Sequence, residues 1–159
     1  MTGQVRTTMN EPSPFVKIKL MNGGKLPVYK TKGASCCDCY ARIDNKLNYV
    51  VIFPGERELI PLGFAMELPN GYEAVIRPRS GMMTQGIDEG IGTIDSDYRG
   101  EVHACIINNT PNKQKIKIHN GDRICQMKIQ TTTQASFEIV NELNETERGK
   151  GGFGSTGVR

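Results

Sequence analysis

The sequence predicts an all-β domain: a jelly-roll-like barrel or sandwich of short strands, with one short helix. Three observations carry that prediction. Apolar residues recur at every second position through most of the chain, the period of a strand with one buried face. The alternating runs are short and are separated by NGG, PGE, PNG, NNTPN and HNGD, whose glycine, asparagine and proline residues favour tight turns. No long segment keeps the 3.6-residue period of a helix with one apolar face.

In chain order, a polar leader (1–14, MTGQVRTTMNEPSP) comes first; it lacks the apolar stretch of a secretory signal and is expected to be disordered. Strands are then predicted at FVKIKL (15–20), YVVIF (49–53), FAMEL (64–68), YEAVIR (72–77), EVHACIIN (101–108), KIKIH (115–119), RICQMKIQ (123–130) and SFEIV (136–140). The one helical candidate is SGMMTQG (80–86). Pro78 keeps Arg77 extended, and Ser80 is suited to cap a first turn. The β-domain is expected to cover 15–143 and a flexible arm 144–159.

A length of 159 residues fits a single domain, large enough to bury a core without disulfides or structural metal. A net charge of +3 is too mild to argue for nucleic acid. No apolar run approaches the ~20 residues that cross a membrane as a helix. The five cysteines are Cys36, Cys37, Cys39, Cys105 and Cys125. An odd number without a secretion signal points to reduced thiols inside the cell, cytoplasmic or nuclear. The CCDC stretch at 36–39 has no second C-x-x-C or histidine pair to complete four zinc ligands.

Four turn segments carry more polar chemistry than a turn requires. RPRSGMM (77–83) combines an arginine, a hydroxyl and a helix start, the ingredients of an anion site or of an ordinary capped turn. In GIGTIDSDYRGEV (90–102), GTI and GEV flank DSDYR as a β-hairpin or tight loop. Asp95 there follows Ile94, where burial can shape its basicity, and a lone acid held near water can act as a general base. The bland reading makes Asp95 and Asp97 turn formers. NGDRICQMKI (120–129) places Gln126 among apolar strand residues, pointing outward or into a site. ASCCDCYA (34–41) has Asp38 as its only charge. The chain then ends on RGKGGFGSTGVR (148–159), where Gly149, Gly151 and Gly154 match G-x-G-x-x-G. That dinucleotide motif needs a strand before it and a helix after it, and this stretch has room for neither. What remains is a glycine-rich backbone with two hydroxyls: a frayed tail, or a flap that covers phosphate.

Together these segments resemble the trimeric dUTPase family. The family's five motifs occur in order between 34 and 157, and PRSG (78–81), GTIDSDYRGEV (92–102), GDRICQ (121–126) and RGKGGFGSTG (148–157) stand close to its pattern. The resemblance implies hydrolysis of dUTP to dUMP and pyrophosphate, with Mg2+ across the triphosphate, by a homotrimer whose subunits exchange C-terminal arms and share active sites. It implies neither a nucleic-acid nor a membrane partner. By motif, Asp95 matches the general base and Gln126 the glutamine near the water and α-phosphate. Arg79, Ser80 and Gly81 match the phosphate turn, and Asp38 the acid that faces the metal through water. Uracil is read by backbone around Thr93, Ile94 and Asp95 and near His103, while Tyr98 packs on the sugar and excludes a 2′-hydroxyl. Arg148, Phe153, Gly154, Ser155 and Thr156 belong to the arm, with Phe153 stacked on uracil and the rest along the triphosphate. The first motif departs from the family: Cys36, Cys37, Asp38 and Cys39 stand where a glycine, a bulky residue, aspartate and leucine are usual, which bears on how Asp38 is presented. Met82 and Met83 also depart, as adaptable packing residues. Two rivals are a dCTP deaminase, which shares the fold but differs in the phosphate-turn and hairpin motifs, and a nucleotide-sensing module that keeps the pocket.

Overall fold

The computed structural model describes residues 13–152. It contains eleven strands and one helical turn: β1 Lys17–Leu20, β2 Cys37–Tyr40, β3 Tyr49–Ile52, β4 Arg57–Pro61, β5 Phe64–Glu67, β6 Tyr72–Arg77, α1 Ser80–Met83, β7 Ile87–Gly90, β8 Gly92–Ile94, β9 His103–Asn108, β10 Ile116–His119 and β11 Arg123–Thr131. Every strand pair is antiparallel, and the pairs nest: β2 lies on β11, β3 on β10 and β4 on β9. Such nesting is that of a long hairpin rolled on itself, the jelly roll the alternation predicts. The largest sheet runs β2-β11-β6-β8, and a second runs β4-β9-β7.

Side-chain alternation sorts the two faces. In β9, Ala104, Ile106 and Asn108 are buried while His103, Cys105 and Ile107 are only partly so. In β2, Cys37 and Cys39 turn inward, which sends Asp38 to the opposite face. Cys39 lies directly across the ladder from Cys125, and Cys37 across from Met127. The thiols of Cys37 and Cys39 are held neutral well above the usual cysteine range, each first by hydrogen bonding to a neighbouring thiol and then by burial. These cysteines therefore serve the core together with Phe64, Ile76, Ile106 and Ile124.

Three sequence readings are corrected and one open choice is settled. SFEIV (136–140) forms no strand: after Thr131 the chain to residue 152 is irregular, with Phe137 95% and Ile139 100% exposed. A strand needs a ladder, and this segment joins none among the described residues. Of the two readings of DSDYR the tight loop holds: β9 already has β4 on one side and β7 on the other, and β8 joins β6 instead of forming a hairpin with β9. Ser80 does not cap α1. The extended cap residue is Arg79 (φ −89°, ψ 132°), without a side-chain cap bond, and Ser80 is the first helical residue. Finally, CDCY, RELIP, IDEG and GTI are strands although their alternation is weak or carried by polar residues.

Two buried polar side chains differ in their satisfaction. Asn108 is complete: its Nδ2 donates to the carbonyls of Ile52 (2.9 Å) and Gln114 (2.8 Å), and its Oδ1 accepts from the Thr110 N–H and hydroxyl. Glu89, on edge strand β7, is 6% exposed and its Oε2 has no partner. Burial raises its carboxyl from 4.5 to about 7, against a smaller lowering by the Cys105 N–H. The folded chain therefore holds this proton more tightly than the unfolded chain. The associated stability is present at low pH and is lost as pH rises from about 4.5 to about 7, a change of about 3 kcal/mol. Glu89→Gln removes the ionisation and keeps the shape. Thermal unfolding should show the variant more stable than the parent at pH 8 and close to it at pH 5; parallel pH profiles would remove the assignment.

Candidate active site

The outer face of the large sheet carries a row set by register. Gln126 on β11 lies opposite Asp38 on β2 and opposite Arg77 on β6. An extra residue between Arg123 and Cys125 bulges β11 here, and bulges re-aim side chains. Asp38 has a 13% exposed side chain and is flanked by two guanidinium groups. Arg123 Nη1 lies 3.0 Å from its Oδ2, and Arg79 Nε lies 3.5 Å from its Oδ1. Arg79 Nη1 also donates to the Arg123 carbonyl at 2.9 Å. Gln126 Nε2 donates to the Pro78 carbonyl at 2.9 Å, which ties the turn before Ser80 to β11. The first N–H groups of a helical turn have no acceptor within it. Those of Ser80 and Gly81, both exposed, stand next to this cationic cluster. The arrangement suits a multiply charged anion.

The second group surrounds the loop after β8. Thr93 is exposed, Ile94 packs against the core, and Asp95 follows, exposed, at the head of a turn closed by the Tyr98 N–H on its carbonyl (3.1 Å). In a single chain the burial expected around Asp95 is therefore missing. Tyr98 donates its hydroxyl to the Glu101 carbonyl at 3.0 Å and keeps its ring 43% exposed. A Cβ at position 100 would overlap that ring, so the folded-back tyrosine requires Gly100. His103 Nδ1 donates to the same carbonyl at 2.9 Å. Below the loop, Arg42 grips Glu101 with two bonds of 2.8 and 2.9 Å, and the Gly63 N–H adds a third at 3.0 Å. The Arg42 guanidinium is the first cause holding the Glu101 carboxyl below its usual range, ahead of the opposing effect of burial. Gly63 itself has φ +77° and lies against Gly24 too closely for a side chain.

The chain thus brings Asp38, Arg79, Ser80, Gly81 and Gln126 together, and separately Thr93, Ile94, Asp95, Tyr98 and His103. Gln126 stands opposite Arg77 on β6 while Ile94 stands opposite Ala74. Asp95 lies one residue past Ile94, so four residues along the strands and two strand spacings put it on the order of 15 Å from Gln126. Arg148 joins neither group; it is exposed and donates to the Gly151 carbonyl at 3.0 Å. Phe153, Gly154, Ser155 and Thr156 lie outside the described residues. Sequence reasoning missed Arg123, Arg42, Glu101 and Gly100. Only the Arg in GDRICQ, three residues before Gln126 on a strand, offered a signal.

Comparison with known proteins agrees with this fold. The dUTPase family model matches residues 22–157. The deoxyuridine 5′-triphosphate nucleotidohydrolase of Desulfotalea psychrophila is 47% identical over 139 residues, covering 84% of this chain and 87% of its own. That of Bdellovibrio bacteriovorus is 45% identical over 147 residues, covering 89% and 95%. Among solved structures, the Staphylococcus bacteriophage 80alpha dUTPase with dUPNHPP superposes with a TM-score of 0.79 at 25% identity, over 91% of this chain and 99% of that one. The chain belongs to the dUTPase family.

Proposed function

We propose that the chain hydrolyses dUTP to dUMP and pyrophosphate, keeping uracil out of DNA and supplying dUMP for thymidylate synthesis. Beyond family membership, the observation that supports this most is the pair of guanidinium groups beside the Ser80 turn, on the same sheet face as Gln126. Arg79, Ser80 and Gly81 bind the triphosphate, Gln126 orients the nucleophilic water near the α-phosphate, and Asp95 takes its proton. Attack at phosphorus places charge on non-bridging oxygens, so catalysis is mainly positioning and electrostatic stabilisation. Magnesium, when bound with the triphosphate, would supply further charge neutralisation there. Among the described residues no three His, Cys, Asp or Glu side chains converge on a point where a metal would sit. Asp38 is the residue that would face such an ion, through a water.

A proton acceptor must come within about 3 Å of the water it activates, directly or through one more water. The ~15 Å separation of Asp95 from Gln126 within one chain supports a site shared between copies, hence a homotrimer. The exposed Phe137, Ile139 and Leu143 support arm exchange, since none of them is buried against the described residues of its own chain. An apolar groove of about 400 Å³ at Val16, Ile18, Pro27, Tyr29, Met127 and Ile129 offers such an arm a place. In this reading 1–14 is a leader, 15–143 the β-domain and 144–159 the lid, and the enzyme works in the cytoplasm or nucleus. No helix among the described residues is long and apolar enough to cross a membrane.

Backbone at Thr93, Ile94 and Asp95, with that near His103, reads the uracil edge, and cytosine's amino group leaves it mispaired. The Tyr98 ring, folded over Gly100, closes the space a 2′-hydroxyl needs. Gly100→Ala should displace the ring and narrow the preference for dUTP over UTP by about tenfold. Pyrophosphate release from both nucleotides checks this, and an unchanged ratio would remove Tyr98 as the sugar filter. The function itself is tested by pyrophosphate release from dUTP, dCTP, dTTP and UTP in parallel with magnesium. Release from dUTP alone is expected; binding of dUTP without release would point to a sensing role.

A further inference from the structure

The Asp38 contacts point to a residue that the motif reading leaves out. Asp38, Arg79 and Arg123 come from β2, the turn after β6, and β11, and they close a ring. The Asp38 carboxylate receives one guanidinium on each oxygen, and Arg79 bonds back to the Arg123 carbonyl. Side-chain exposure rises from 13% for Asp38 to 30% for Arg79 and 46% for Arg123, so the carboxylate lies beneath and the cations face outward. Two guanidinium groups this close repel each other, and the carboxylate between them holds them there. Removing one partner of a desolvated charge cluster leaves the others poorly compensated. The β11 bulge at Arg123 gives that side chain its reach across to β2.

We infer that Arg123 is a positioning residue of the triphosphate site: together with Asp38 it fixes the Arg79 guanidinium, and Asp38 acts on the triphosphate chiefly through these two arginines. This rests on the reading that the chain binds dUTP. It separates the work of Asp38 on arginine geometry from any work on the metal, and the two are distinguishable without metal present. A preorganised guanidinium pair binds a polyanion with no ordering step left to make.

The test is calorimetric titration of the full chain with inorganic triphosphate in excess chelator, comparing the parent with Arg123→Ala, Arg123→Lys and Asp38→Asn. Arg123→Ala and Asp38→Asn should each weaken binding about tenfold, as loss of a charge-assisted bond does. The double variant should lose no more than the worse single one, because the residues act as a unit. Arg123→Lys keeps the charge without the fork, so it should recover part of the loss. Parental affinity in Arg123→Ala would overturn the inference. So would parental affinity in Asp38→Asn without metal, combined with a raised magnesium requirement for dUTP turnover. Thermal unfolding and size-exclusion accompany each variant; if Arg123→Ala does not fold, the lysine variant carries the test, and its parental affinity overturns the inference. A parent chain that binds triphosphate but releases no pyrophosphate from dUTP would count against the functional reading and leave the clamp supported.

Discussion

Asp95→Asn should bind nucleotide nearly as the parent does and turn it over about 10³-fold more slowly. The substitution keeps size and shape and removes only the basicity, and general-base contributions run from about 10² to 10⁴. Asp95 is exposed and heads its turn through its backbone carbonyl, not its side chain. The fold should therefore not register the change. Its KM should stay within a few-fold, because the phosphate contacts of Arg79, Ser80 and Gly81 are untouched, and the loss should fall on kcat. Single-turnover pyrophosphate release with bound dUTP measures this directly. A variant at parental rate would mean that another group takes the proton, and Asp95 would be left as a turn former.

The contrast between β9 and β7 explains how much of the fold could be read from sequence. HACIIN alternates cleanly because β9 is a central strand with one face on the core. IDEG carries two carboxylates, and nothing in its pattern announces that Glu89 is buried on an edge strand. RELIP is missed for a related reason, since only Ile60 of that strand is fully buried. SFEIV errs the other way: it has the strand period but pairs with no strand among the described residues. Local pattern reports a strand's faces, while its edges depend on residues far along the chain.

The same limit applies to the site. Taken alone, the turn at Arg79 and Ser80 and the side chain of Gln126 each keep a bland reading beside the functional one, and it is the motif resemblance that singles them out. The doubt about Asp38 raised by its three cysteines dissolves in β2, where Cys37 and Cys39 are the inward residues and Asp38 is necessarily outward. Arg123 was legible only as a charge three residues before Gln126, and its pairing was not. Its contact with Asp38 spans 85 residues and depends on a register shift that no local pattern encodes.

Removing residues 148–159 should leave the assembly intact and lower kcat/KM for dUTP by about 10²-fold or more, the scale of a lost positioning element. The reason lies in what the arm is made of. RGKGGFGSTGVR is rich in glycine, and fixing each residue's backbone costs about 1–2 kcal/mol. Ordering it all opposes closure by roughly 10 kcal/mol or more, so the free chain gains nothing by closing. On the proposed function, triphosphate contacts from Arg148, Gly154, Ser155 and Thr156, and stacking of Phe153 on uracil, would offset that only when the nucleotide is present. Closure would then exclude solvent and strengthen every charge interaction around the phosphates. Because the arm follows the last strand, Arg123–Thr131, by many exposed residues, its loss should spare the core. Size-exclusion of the truncated chain and its steady-state pyrophosphate release separate the two effects. A truncated protein of parental activity would sink the lid, and one that falls apart into single chains would mean that the last twelve residues hold the copies together. Phe153→Ala refines the result: if stacking carries the closure, this one substitution should reproduce much of the loss for dUTP while leaving the affinity for inorganic triphosphate unchanged.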